Sequence, residues 1–232
     1  VDGKGYFVTG VDTGVGKTVV SAAIVMGLIG RGVDACAIKP VESGCMKLGG
    51  TLLPADGNLL CDAAGRVEPL DVVTPWRFRE AAAPGVAAGA EDREVNPGML
   101  VSHVRSVVGR HAVTVVEGIG GLMVPITAGG YLVRDLVREV GLPVIIVSHP
   151  FLGGLNHTLL TVEALRAVGA EVAGIVFSQF RKPGDTLAER TAYGVIEKLT
   201  GLPMLGVLPY MKKPGFDQIR EASDALDLGR LL

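Results

Sequence analysis

The chain has 232 residues, 48% of them apolar and 20% charged, and carries a formal net charge of −2. Such a composition suits one domain with a substantial core and argues against disorder. No basic block is longer than a pair such as Lys212-Lys213, which argues against a nucleic-acid surface, and no run of about 18 apolar residues predicts a membrane span. Cys36, Cys45 and Cys61 are odd in number and lack CxxC spacing, so neither a disulfide framework nor a zinc site is expected; Cys36 reads as core. Residues 1–5 have neither an initiator Met nor an apolar signal stretch and read as a trimmed or added, flexible end, which leaves the cytoplasm as the default compartment.

In chain order, short apolar runs alternate with amphipathic segments. Tyr6 to Thr9 reads as a strand, and Lys17 to Arg31 as a helix with Val20, Ile24 and Leu28 at helical spacing. Asp34 to Lys39 is a strand, Asp56 to Gly65 a short helix and Val72 to Phe78 a further strand. Pro97 to Arg110 is a helix with proline in its first turn. The wholly apolar, β-branched run Ala112 to Val116 suits a strand buried on both faces. Then follow helix 132–140, strand 143–147, helix 156–168, strand 172–176, helix 186–199 and strand 204–207. Segments 41–55 and 79–96 read as long loops. The alternation predicts one α/β domain with a mainly parallel sheet between helical layers, and ligands bound beyond the carboxyl ends of its strands.

The motifs fall at those ends. Gly10-Val11-Asp12-Thr13-Gly14-Val15-Gly16-Lys17-Thr18 follows a strand and opens a helix, the setting of a phosphate-binding loop, with one residue more between Gly10 and Gly16 than the GxxxxGK[ST] form. Its amides would cradle phosphate, Lys17 would reach the β/γ-phosphates, and Thr18 would hold Mg²⁺ through its hydroxyl. Lys39-Pro40-Val41-Glu42-Ser43-Gly44 ends the second strand and aims a lysine at the crevice, its charge expected to serve the ligand rather than the fold. Glu117 ends an apolar strand ahead of Gly118-Ile119-Gly120-Gly121, as a Walker B carboxylate does, and could supply a hard oxygen to Mg²⁺. Asp56 begins a helix and suits either an N-cap or a second metal carboxylate. Leu152-Gly153-Gly154-Leu155-Asn156-His157 opens another helix and offers a further anion cradle; His157 reads as structural, and His103, His111 and His149 have no metal-ligand spacing.

Together these motifs resemble dethiobiotin synthetases. The resemblance rests on Tyr6-Phe7-Val8-Thr9-Gly10, Asp12-Thr13, Val15 to Thr18, Lys39-Pro40-Val41 with Ser43-Gly44, Val116-Glu117-Gly118 with Gly120-Gly121, and Leu155-Asn156-His157 with Leu160-Thr161. Order and spacing match from Tyr6 to Tyr210. The resemblance implies a P-loop NTPase-like three-layer fold. It also implies ATP- and Mg²⁺-dependent closure of 7,8-diaminononanoate and CO₂ to dethiobiotin, through a carbamate and a carbamic–phosphoric anhydride, in biotin biosynthesis. By resemblance, Lys17, Lys39 and Thr13 surround the reacting centre. Ser43 and the turn Gly153, Gly154, Leu155, Asn156 bind substrate, the turn coming from the partner subunit of a homodimer. Gly14, Val15, Gly16, Lys17, Thr18, Glu117, Gly118, Ile119, Gly120, Ser178, Gln179, Pro209, Tyr210 and Met211 bind nucleotide, and Thr18, Asp56 and Glu117 hold Mg²⁺.

Two departures stand out. Gly14 occupies a position where some members carry Glu. Val176-Phe177-Ser178-Gln179 replaces an Asn-Asp that reads adenine, so other nucleoside triphosphates are expected to serve as well. The rival classes fit less well. Positioning ATPases carry a lysine where Asp12 stands, no NKxD sequence reads guanine, and no glutaminase segment suggests an amidotransferase.

Overall fold

The computed structural model describes residues 4–232. Six strands form a wholly parallel sheet: β1 (Lys4–Gly10), β2 (Ala35–Ile38), β7 (Val113–Glu117), β8 (Val144–Ser148), β9 (Val172–Ser178) and β10 (Met204–Leu208), in the order β10-β9-β8-β1-β7-β2. β2, β7 and β8 are buried at every residue, as continuous apolar runs between two helical layers must be. α1 (Lys17–Ile29), α2 (Ala55–Ala63) and α9 (Phe216–Ala222) pack together on one face. Right-handed crossovers put α5 (Pro97–Val108), α6 (Val133–Val140), α7 (Gly154–Ala167) and α8 (Leu187–Thr200) on the other.

β1 lies between β7 and β8. From β1 the chain runs through α1 toward the β2 edge, whereas β8 leads through α7 to β9 in the opposite direction. The carboxyl end of β1 is therefore a topological switch point, where the two crossovers diverge and leave a crevice. The phosphate-binding loop sits there.

Several elements differ from the sequence expectations. β1 starts at Lys4, so Lys4 and Gly5 belong to the sheet rather than to a loose end; residues 1–3 lie outside the described residues. Segment 72–78 is not one strand. Its first residues complete the helical turn α3 (Leu70–Val73), begun after Pro69, and only β6 (Trp76–Arg77) is extended. The supposed loop 41–55 holds β3 (Val41–Glu42), parallel to β6, and a hairpin of β4 (Met46–Leu48) and β5 (Thr51–Leu53). Gly49 and Gly50 turn that hairpin with φ of +55° and +88°, the positive values a two-residue turn demands. The alanine-rich segment forms α4 (Pro84–Ala90), with Pro84 in its first turn. Gly85 is needed in α4 because a Cβ there would lie 2.5 Å from the Thr127 backbone. α9 carries no strong periodic signal and is held by its packing on α1. All three cysteines are free and buried.

Candidate active site

α1 begins at Gly16, whose φ of +93° lies in the left-handed region and whose position offers no side-chain cap. The helix N-terminus therefore keeps its orphan amides for an anion. A φ of +93° favours glycine at this position, and a Cβ there would also crowd Ser178 Oγ at 2.5 Å. Within the loop, Lys17 Nζ donates to the Asp12 carbonyl at 3.0 Å, and the Thr13 amide donates to Asp12 Oδ1 at 2.7 Å.

Side chains from four elements meet in front of this loop. Glu117, at the end of β7 and 1% exposed, accepts from Thr18 Oγ1 at 2.9 Å and from Lys39 Nζ at 3.0 Å, both on Oε1. Lys39 also pairs with Asp56, in the first turn of α2. Burial works against the Lys39 charge, but Glu117 and Asp56 more than reverse this and hold its pKa above the ordinary lysine value. Burial lowers the Lys17 pKa, with Glu117 opposing the shift and Lys39 reinforcing it. The Lys39 charge has a structural partner as well as the expected place in the crevice: without it, buried Glu117 would keep the Thr18 hydroxyl but lose its ion-pair partner.

Lys17, Thr18, Lys39 and Asp56 line a cleft of about 360 Å³ that also includes Gly14, Ser43, Ile119 and Gly120, and Glu117 lies buried behind it against Lys39 and Thr18. It shares Thr13, Ser43, Ile119 and Gly120 with a neighbouring cleft of about 430 Å³ walled by Ala81 to Pro84. A third, mainly apolar hollow of about 390 Å³ lies between Asp12–Thr13 and His157–Leu160 of α7. Thr13 borders all three.

Other expected site residues are placed differently. Val15 is buried beneath the loop. Gly118 faces inward: its N–H donates to the Val8 carbonyl, and a Cβ would lie 2.8 Å from Phe7, so it is a packing glycine rather than part of the cleft wall. Asp56 is not an N-cap, because Pro54 holds that position. Ser178 ends β9 against Gly16; Gln179 lies beside the Tyr193 hydroxyl, and its amide donates to Leu208 at the end of β10, just ahead of Pro209, Tyr210 and Met211. Gly153, Leu155 and Asn156 are exposed at the start of α7, apart from the phosphate cleft, while Gly154 is buried on His149. The sequence reading gave no role to Glu42, which is buried in the cleft wall. The available signal was an acidic residue inside the strand-end motif that supplies Lys39 and Ser43.

The donors suit a small hard cation. Thr18 Oγ1, Asp56 and Glu117 all offer oxygen, and Glu117 Oε2 is buried with no hydrogen-bond partner. Among the described residues no three His, Cys, Asp or Glu side chains gather as a closed cage. Mg²⁺ does not need one, since it keeps waters and takes oxygens from substrate phosphates.

A protein-family model described as an AAA domain matches residues 4–216. The ATP-dependent dethiobiotin synthetase of Thermodesulfovibrio yellowstonii is 40% identical over 225 residues, covering 94% of each chain. That of Anaeromyxobacter dehalogenans (strain 2CP-C) is 44% identical over 207 residues, covering 89% of this chain and 90% of the relative. The chain belongs to the dethiobiotin synthetase family. Dethiobiotin synthetases share their fold with more distant ATPases, as the solved structures indicate. The MinD cell division protein of Aquifex aeolicus superposes with a TM-score of 0.59 at 16% identity, covering 98% of this chain and 95% of that one. A ParA family ATPase of Chlorobium tepidum gives 0.55 at 14%, covering 98% and 92%. At such identities the likeness concerns the fold alone. No helix among the described residues of this dethiobiotin synthetase family member is long and apolar enough to cross a membrane.

Gly16→Ala is expected to weaken ATP binding at least about tenfold by calorimetry. The left-handed backbone costs a residue with a Cβ on the order of 1–2 kcal/mol, and the Ser178 overlap adds to that cost. Unaltered affinity would show that the loop does not need glycine there.

Proposed function

We propose that the chain forms dethiobiotin from 7,8-diaminononanoate, CO₂ and ATP in biotin biosynthesis. The observation that carries this reading is the meeting of Lys17, Lys39, Thr18 and Asp56 at one crevice, with buried Glu117 bonded to Thr18 and Lys39, in a member of this family. One amine of the substrate takes up CO₂ and loses a proton to give a carbamate. A carbamate oxygen attacks the γ-phosphorus and ADP departs, leaving a carbamic–phosphoric anhydride. The second amine attacks the anhydride carbonyl, closes the ring and expels phosphate. Phosphoryl transfer of this kind needs positioning and positive charge more than covalent help from the protein.

In this reading the loop amides and Lys17 hold the triphosphate. Lys39 holds the carbamate and offsets charge that develops as the γ-phosphoryl group moves. Thr13 and Ser43 orient the diamine end of the substrate. Thr18, Asp56 and Glu117 hold Mg²⁺, which supplies charge neutralisation at the phosphates when bound. The alkyl tail leaves along the neighbouring cleft.

The Gly153–Asn156 turn takes the substrate carboxylate of a partner copy, so the working unit is a homodimer. This part rests on the exposure of the turn and of apolar side chains beside it: Leu152 is 88%, Leu160 60% and Met123 56% exposed. The nucleotide base lies between Ser178-Gln179 and Pro209-Tyr210-Met211. Ser178 and Gln179 are the polar side chains at the end of β9 that could contact the base, which leaves few groups to choose among bases.

The test is incubation with diaminononanoate, bicarbonate and MgATP, with mass detection of dethiobiotin; no product from the folded protein would refute the reading. Lys39→Ala is expected to lower kcat by about 10²–10³ and to cost on the order of 3–5 kcal/mol of stability by leaving Glu117 unpaired. Undiminished turnover in the folded fraction would remove Lys39 from the mechanism. With CTP or GTP in place of ATP, kcat/KM is expected to stay within about a hundredfold, the scale of discrimination without a dedicated hydrogen bond; a steeper preference would mean that the base is read.

A further inference from the structure

Glu42 has no part in the chemistry above, yet its charge is buried at the wall of the cleft, with 5% of the residue exposed. Burial pushes the Glu42 pKa up, with Lys39 opposing the shift and Asp56 reinforcing it, and a carboxylate buried there is unfavourable unless the group is fully used. Its two oxygens are used in one specific way. Oε1 accepts the Asp56 amide at 3.1 Å and Oε2 accepts the Gly57 amide at 2.8 Å. These are first-turn amides of α2, which the helix itself cannot satisfy. Pro54, at the N-cap, supplies no side-chain acceptor. Glu42 caps α2 from another strand, with a charge that the helix N-terminus favours.

We infer that Glu42 is the positioning residue for Asp56, and through it for the Lys39–Asp56–Glu117 array and the cation those carboxylates take; the last step rests on the functional reading above. Glu42 is itself a fixed arm. Its carbonyl accepts the Phe78 amide at 2.9 Å, and β3 is paired with β6. On the opposite side, a Cβ on Gly57 would overlap Thr74 Oγ1, so the first turn of α2 is pressed against the segment leading into β6 and has no slack there. Held by Glu42 on one side and Thr74 on the other, the α2 backbone at residue 56 directs the Asp56 carboxylate onto Lys39. The Lys39-to-Ser43 segment thus aligns Asp56 through Glu42 while Lys39 and Ser43 line the cleft.

The experiment compares wild type, Glu42→Ala and Glu42→Gln by two readouts that need no diaminononanoate: hydrogen exchange of the Asp56 and Gly57 amides in the metal-free protein, and Mn²⁺ affinity of the protein–ATP complex. In Glu42→Ala both amides are expected to lose protection, and Mn²⁺ affinity to fall about 10–100-fold, the usual cost of losing a group that orients a metal ligand. Glu42→Gln, with one oxygen acceptor left, is expected to fall between Glu42→Ala and wild type. Turnover lost at limiting Mg²⁺ should return when Mg²⁺ is raised, which a purely structural defect would not show. Unchanged Mn²⁺ affinity in the folded variants overturns the inference, as does retained protection of both amides. If Glu42→Ala does not fold, the glutamine variant decides alone. A wild type that makes no dethiobiotin would sink the functional reading and leave both of these readouts standing.

Discussion

A lysine ammonium held between two carboxylates in a buried crevice is the interaction on which the site depends. Lys39 joins Glu117, from the strand beside β1, to Asp56, from α2; Glu117 in turn accepts the Thr18 hydroxyl at the start of α1. Four elements are thereby tied at one point through charged or charge-assisted bonds. A buried charge array of this kind is weak evidence for net stability, because desolvation offsets most of the attraction. It does fix geometry, since removing Lys39 leaves the Glu117 carboxylate without its cation in a place water does not reach. Glu117 Oε2 has no hydrogen-bond partner among the described residues.

The sheet topology makes this meeting possible. With β1 between β7 and β8 and the crossovers diverging from it, the phosphate loop, the end of β7 and the end of β2 all open onto the same crevice. Glycines set the close approaches. Gly16 takes a left-handed backbone against Ser178, and Gly118 lets the strand-end loop descend onto Phe7. The MinD cell division protein and the ParA family ATPase share this scaffold.

Much of the fold could be read in advance because a parallel sheet writes a strong pattern: apolar β-branched runs for strands, 3.6-residue spacing for α1 and α5, and a glycine-rich turn between β1 and α1. The phosphate loop, Lys39 and Glu117 were legible for the same reason, each standing at a strand end. Segments 41–55 and 70–78 were not. Their short strands and single helical turn are stabilised by pairing across the chain, as between β3 and β6, rather than by local propensity. The hairpin at Gly49-Gly50 did carry a local signal that the loop reading passed over. Glu42 was hidden because its partners are backbone amides beyond that hairpin, a relation no spacing rule expresses. Gly118 misled in the other direction: a glycine after a strand end suggests approach to a ligand, but here it admits a phenylalanine.

The most direct measurement is a double-mutant cycle on Lys39 and Glu117, using Lys39→Met and Glu117→Gln and reading stability by urea unfolding. Coupling between the two is expected within about 0.5–3 kcal/mol, as for residues that share one buried network, with the double variant more stable than Lys39→Met alone because the fully buried carboxylate is gone and Asp56, the other partner of Lys39, is part-exposed to water. Strictly additive effects would mean that the two groups do not meet in the folded protein and would contradict the account of the site.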